Sequence, residues 1–321
     1  MSNLLLILAC LGIGLLLQRS SRMPRDAASA LNLYVLYVAL PAMILTEISK
    51  LTLDQRALLP VISTWVVMAS TAALVWLTAR GFGWSRSVTG ALMLVIVLGN
   101  TSFVGIPLIQ ALLPPEALPY ALLYDQTGTV IALNTYAVIV AAWYSGQDTS
   151  WRKVSRTIFT FPPFVVLLLA FATFPLDYPH WFTYATGRIA ESLVPVVMVA
   201  VGLQWQLKLD KEHLLPLTVG LGYKLVLIPA IVFAVFAVLD LHSVAAQAVA
   251  LQAAMPAMIS AGVVAMAHGL APRLVYTIVG YGLLLSLVTV PASIPASRAS
   301  SSVLTRLPLW PRASMWSPTE R

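Results

Sequence analysis

Apolar stretches recur along the whole chain, each near the ~20 residues an α-helix needs to cross ~30 Å of hydrocarbon. The pattern predicts roughly ten spanning helices, near residues 3–18, 28–48, 58–79, 88–112, 118–144, 157–175, 186–206, 214–239, 243–268 and 273–296. Most are apolar on all sides, as expected of helices that face lipid and one another. The second and seventh are the least regular, because Asn32 and Glu191 interrupt them.

The connections alternate in charge. One set holds Arg19, Arg22 and Arg25, then Arg80 and Arg86, then Arg152, Lys153 and Arg156, then Lys208 and Lys211, then Arg273. The other holds Lys50, Arg56, Glu116, Asp177, His180, Asp240 and His242. The positive-inside rule assigns the first set to the cytoplasm and both termini to the periplasmic side of a bacterial inner membrane. The N-terminus is no typical cleavable signal, since Arg19, Arg22 and Arg25 follow the apolar run instead of preceding it. The Ser-, Pro- and Arg-rich tail, residues 297–321, reads as a disordered extension.

Composition agrees with this pattern. Of the 321 residues, 59% are hydrophobic and 10% charged, and the mean hydropathy is +0.87. That is too little charge to cover a water-soluble globule of this size. The net charge of +7 sits in the connections and forms no basic stripe, so nucleic acid is not an expected partner. Cys10 is the one cysteine, so no intrachain disulfide forms. It reads as a small apolar residue of the first span.

Two proline pairs suggest a duplication. Pro41 and Pro195 stand roughly 150 residues apart, and so do Pro107 and Pro256. Halves of about five spans each, residues 1–150 and 151–296, then lie in the membrane as inverted repeats. The basic segment Trp151 to Arg156 is the hinge between them. The fold class is therefore an all-α membrane protein whose two repeats contribute crossing broken helices.

Candidate chemistry concentrates in the fourth span, at Gly99-Asn100-Thr101-Ser102-Phe103-Val104-Gly105-Ile106-Pro107. Glycine and proline weaken the helix here. Backbone broken at this depth needs protein or a water-filled cavity around it. A simple proline kink explains Pro107 alone. A matching break at Pro256 in the ninth span points instead to a transporter site. Gln252, one turn before Pro256, faces the same gap. Asn100, Thr101, Ser102, Pro107, Gln252 and Pro256 are thus the expected substrate residues. Half-helix N-termini after each proline suit a carboxylate.

Asp125 and Gln126, in the fifth span, are candidates for binding a proton or coupling ion, because a carboxylate in lipid is costly unless paired or wetted. An interfacial position for Asp125 explains it equally well. Lys224, in the eighth span, has three readings: an anion contact or coupling residue, a partner for Asp125, or a side chain that snorkels to the cytoplasmic face. Asn134 is expected to bond a neighbouring helix, and Arg188 to pair with Glu191 one turn on. The four histidines fall near span ends, so neither a metal nor a cofactor is expected.

These motifs resemble the auxin efflux carrier family, which includes plant PIN proteins and bacterial permeases for dicarboxylates such as malate and malonate. The likeness rests on Leu31-Asn32 through Leu40-Pro41, on Gly99 to Pro107, and on Ala253-Ala254-Met255-Pro256-Ala257. It implies ten helices in two inverted repeats, with the fourth and ninth crossing at their prolines. It also implies a secondary carrier of organic anions that works by an elevator-like motion. Asn100 and Pro107 fall on the first crossover motif and Pro256 on the second; Asp125 and Gln126 follow in a stretch often polar in relatives. The short loop between halves departs from many plant members and makes hormone transport doubtful. The expected partners are a small organic anion and the lipid bilayer, with a homodimer left open. Three rival readings stand: a sodium-coupled carrier of the bile-acid transporter type, a non-transporting receptor, and an intramembrane enzyme. No His-Glu-x-x-His or Gly-x-Ser-Gly stretch supports the last.

Overall fold

The computed structural model describes residues 2–20, 22–24, 26–50, 57–146, 161–173, 178–205 and 212–303, with side chains for all but 2–3 and 293–303. The described residues are almost entirely helical. In chain order the helices are α1 (Ser2–Gln18), α2 (Ala27–Ile48), α3 (Leu58–Phe82), α4 (Arg86–Val95), α5 (Thr101–Leu112), α6 (Pro115–Ser145), α7 (Pro162–Ala172), α8 (His180–Gln204), α9 (Leu214–Val238), α10 (Val244–Ala253), α11 (Ile259–Ala267) and α12 (Pro272–Val303). Helices α2, α3, α6, α8, α9 and α12 are each long and apolar enough to cross a membrane. This is an all-α, multi-pass membrane protein.

The hinge Trp151 to Arg156 lies outside the described residues, as do Arg25, Arg56, Asp177, Lys208 and Lys211. The last helix continues to Val303, past the expected span end at 296, and residues 304–321 are outside the described set.

Three helices widen just before a proline. π-Helical turns at Val35–Ala39, Thr101–Gly105 and Tyr223–Leu227 each end two residues ahead of Pro41, Pro107 and Pro229. Proline lacks an amide hydrogen and its ring collides with the carbonyl four residues back. That carbonyl belongs to Tyr37, Phe103 or Leu225, inside the wide turn in every case. Shifting to the i→i+5 pattern relieves the collision without ending the helix. A fourth π-turn, Asp125–Val130, carries Asp125 and has no proline behind it.

Lipid is as apolar as leucine, so helices in a bilayer associate through close packing and polar contacts. Gly14 of α1 and Gly202 of α8 illustrate the first. A Cβ on either glycine would stand 2.8 Å from the other's Cα. The backbones touch, and a methyl group has no room. Helices α1, α2, α7 and α8 pack largely on one another, while α3, α4, α6 and α9 to α12 pack together as a second group.

Buried apolar residues form two main clusters. One holds Val88 to Leu98 with Ala257 to Ile278; the other holds Phe103 to Ile109 with Ala245 to Met255. The chain from α4 to α5 therefore leaves one cluster and enters the other. The chain from α10 to α11 makes the same passage in reverse. Both are broken where they pass, and polar side chains gather at that boundary.

Candidate functional site

Serine caps open both broken helices. Ser85 Oγ accepts from the Val88 amide at 3.3 Å ahead of α4, and Ser243 Oγ accepts from Ala246 at 3.2 Å ahead of α10. Such caps fix where a helix begins. The first half-helix then runs to Val95 in one case and Ala253 in the other. Beyond each, the chain unwinds.

The two unwound segments meet. Gly99 and Ala257 form an isolated antiparallel bridge. The Asn100 amide donates to Pro256 O at 2.8 Å, and the Met258 amide donates to Leu98 O at 3.0 Å. Each broken segment thus satisfies polar backbone groups that lipid could not. Pro256 fits because it has no amide hydrogen to leave orphaned, and its carbonyl is used.

One position differs from expectation. The first break lies at residues 96–100, and Pro107 sits beyond it as the second residue of the α-helical part of α5, Ile106–Leu112. The missing amide of proline costs little at the start of a helical segment. Proline marks where the helix is re-established here, and glycine marks where it opens. Asn100 provides the restart, with its Oδ1 accepting from the Phe103 amide at 3.3 Å.

Asp125 is fully buried, and so are Thr101, Ser102, Gln126 and Gln252 around it. Its carboxylate accepts from Thr101 Oγ1. Ser102 Oγ contacts both carboxylate oxygens, at 2.6 and 2.8 Å, and Gln126 Nε2 donates to Oδ2 at 2.6 Å. Asp125 is therefore held by protein groups on every side. It stands at the start of α5, where carboxylates are favoured by the exposed helix amides. Gln252 Nε2 reaches Ala121 O at 3.2 Å and Thr101 O at 3.4 Å, which ties α10 to the same cluster. Within this cluster, Gln126 Oε1 and Gln252 Oε1 have no hydrogen-bond donor.

Lys224 does not snorkel. It is 4% exposed, and a Cβ on Gly99 would lie 3.1 Å from its Nζ. The ammonium therefore sits against the crossing. Among the described residues it has no ion pair, so it is not the partner of Asp125. Among the described residues, Asp125 and Lys224 are the two charged residues with buried side chains. They approach opposite ends of one short stretch, at Thr101–Ser102 and at Gly99.

Other expectations divide. Arg188 pairs with Glu191 at 2.9 Å. Asn134 donates to Val130 O of its own helix at 2.8 Å and so does not reach a neighbour. Cys10 is buried in α1. Sequence reasoning missed Thr64 and Gly128, whose close contact binds α3 to the π-turn of Asp125. The signal was Gly128 one turn after Asp125 within an apolar span.

Residues 1–158 and 148–294 match the family model for membrane transport proteins. The chain belongs to that family. It is a membrane transporter, and the resemblance to auxin efflux carriers holds over residues 1–294. An uncharacterized transporter of Methanothermobacter thermautotrophicus is 26% identical over 298 residues, covering 90% of this chain and 95% of the relative. A second, from Methanocaldococcus jannaschii, is 24% identical over 268 residues, covering 80% and 85%.

Proposed function

We propose that this transporter is a secondary carrier of small organic anions, with carboxylates as the substrate class and the crossing of the broken helices as the site. The bridge between Gly99 and Ala257 carries the reading. Helices α5 and α11 both begin at the crossing, and the first amides of a helix have no partner within it. They present partial positive charge to whatever lies between them. Asn100, Thr101, Ser102, Gln252 and Pro256 surround that point. Pro107 stands further along α5 and holds its start in place.

Transport then proceeds by an elevator-like motion. The helix group holding the crossing moves against α1, α2, α7 and α8, in two inverted repeats of residues 1–150 and 151–296. Two cavities between the groups support such a path. One, of about 650 Å³, is lined by Glu47, Lys50, Glu116, Tyr120 and His242. The other, of about 310 Å³, lies between Ala28, Val201 and Trp205 on one side and Met266, Tyr276 and Leu283 on the other.

Asp125 takes up a proton that accompanies the anion, and Gln126 orients its carboxylate. The donorless oxygens Gln126 Oε1 and Gln252 Oε1 favour one second reading, in which sodium is the coupling ion. Flux of radiolabelled carboxylates into proteoliposomes tests the proposal. An inward proton gradient should drive uptake, and Asn100→Ala should abolish it while the protein stays monodisperse. Uptake driven by sodium alone would select the second reading. Binding without flux would contradict both.

A further inference from the structure

We propose that Lys224 is the counter-charge of the transported anion, holding one carboxylate together with the side-chain amide of Asn100. The inference rests on the crossing being the carrier site, and it adds which groups grip the solute there.

Depth comes first. Lys224 is the eleventh residue of α9. At 1.5 Å per residue it lies about 15 Å along the helix, near the middle of a ~30 Å hydrocarbon core. An ammonium at that depth is costly unless something of opposite charge joins it. No described residue does.

Position comes second. The π-turn Tyr223–Leu227 sets the local register. The Tyr223 hydroxyl is bonded to Thr78 Oγ1 of α3 at 2.9 Å. This fixes the neighbouring residue while Lys224 reaches Gly99. A side chain at position 99 would intrude on the ammonium, with its Cβ 3.1 Å from Nζ and 3.7 Å from Cε.

Elimination comes third. Most side chains at the crossing are already engaged. The Thr101 and Ser102 hydroxyls contact Asp125, and the Gln252 amide nitrogen serves two backbone carbonyls. Asn100 uses its Oδ1 as a cap. Among the described residues, Asn100 Nδ2 and Lys224 Nζ have no acceptor. These two donors flank Gly99, one from the next residue in the chain and one from α9. An amide and an ammonium beside the same glycine offer charge-assisted hydrogen bonds to a carboxylate bound there.

The test uses radiolabelled lactate, malonate and malate with wild-type, Lys224→Met, Lys224→Gln and Lys224→Arg protein in proteoliposomes. Melting temperature is read with and without each anion. For an anion the wild type carries, Met or Gln should raise KM about 30-fold or more, since a buried charge loses its partner. Both should also lose the anion-induced rise in melting temperature. Arg should keep KM within about fivefold and retain that rise. Unchanged KM and anion stabilisation in a folded Met or Gln variant would overturn the inference while leaving the carrier reading intact. Recovery of flux in Lys224→Met on adding Asp125→Asn would assign the lysine to Asp125 and overturn it too. If wild-type protein carries none of the three anions, the proposed function fails along with it.

Discussion

The amide of Asn100 donates to the carbonyl of Pro256 across 2.8 Å, although 156 residues separate the two in the chain. Each belongs to a helix that would otherwise expose unsatisfied backbone groups in the membrane. Their pairing lets both helices stay open at the same place. The surrounding side chains follow from that contact, because it sets Gly99 beside Lys224 and Thr101 beside Asp125.

Tight packing near this contact makes Gly105→Ala a sharp probe. The added methyl would collide with Gln252 Oε1 and lie 3.2 Å from Met255 Cγ. Gln252 must then leave Thr101 and Ala121. Overpacking of this kind costs about 1–3 kcal/mol, and flux should fall about tenfold or more. Gly187→Ala, with nothing within 4 Å of its new Cβ, should transport like the wild type. Equal flux from both variants would show that the Gln252 contact has no part in transport.

Asp125 offers a test of coupling. In wild-type protein, acidifying the side from which the anion enters should speed uptake, because protons are then available to the carboxylate. Asp125→Asn preserves the shape and should still bind substrate, yet its flux should not respond to pH. Asp125→Ala removes the acceptor of three side chains, at a cost of about 1–3 kcal/mol for each buried donor left unpaired. Its melting temperature should drop below that of the Asn variant. A pH response that survives in Asp125→Asn would place the proton elsewhere.

The contact of α1 with α8 has no role in chemistry and should answer only in stability. Gly14→Val has to push apart two backbones whose Cβ-to-Cα clearance is already 2.8 Å. Thermal unfolding in detergent should reveal a loss on the order of 1–3 kcal/mol or more. Gly12→Ala, facing open space, serves as the neutral comparison. Matching melting curves for the two would rule out the close approach.

Trp205 spans the two helix groups, with its indole Nε1 donating to Gly280 O at 3.0 Å. Trp205→Phe removes a bond worth about 1 kcal/mol, enough to shift an opening equilibrium about fivefold. With Cys10→Ala as background, Val201→Cys, buried on the cavity between the groups, reports on its opening. Its labelling by a charged thiol reagent should quicken about fivefold when Trp205→Phe is added. An unaltered rate would mean that the bond does not restrain the seam.

Much of this architecture was legible in the order of residues. Apolar runs and charged connections fix the helices, since a bilayer leaves the backbone few alternatives. The pairing of Gly99–Asn100 with Pro256 could be anticipated from glycine, asparagine and proline clustered at matching places. The position of the first break could not be read from Pro107, because a proline suits both a helix interior under strain and a helix start. The burial of Asp125 was equally open. Its hydroxyl donors, Thr101 and Ser102, come from another helix, and no local pattern links them. Lys224 posed the same difficulty, since a long stem is compatible with several destinations until its neighbours are placed.

The most direct measurement is a cryo-EM map of the protein in nanodiscs with a carboxylate it transports. Density for the anion should lie at the crossing, between Asn100, Ala257 and Lys224. Density confined to the cavity lined by Glu47, Lys50 and His242, with the crossing closed and empty throughout the transport cycle, would contradict the account.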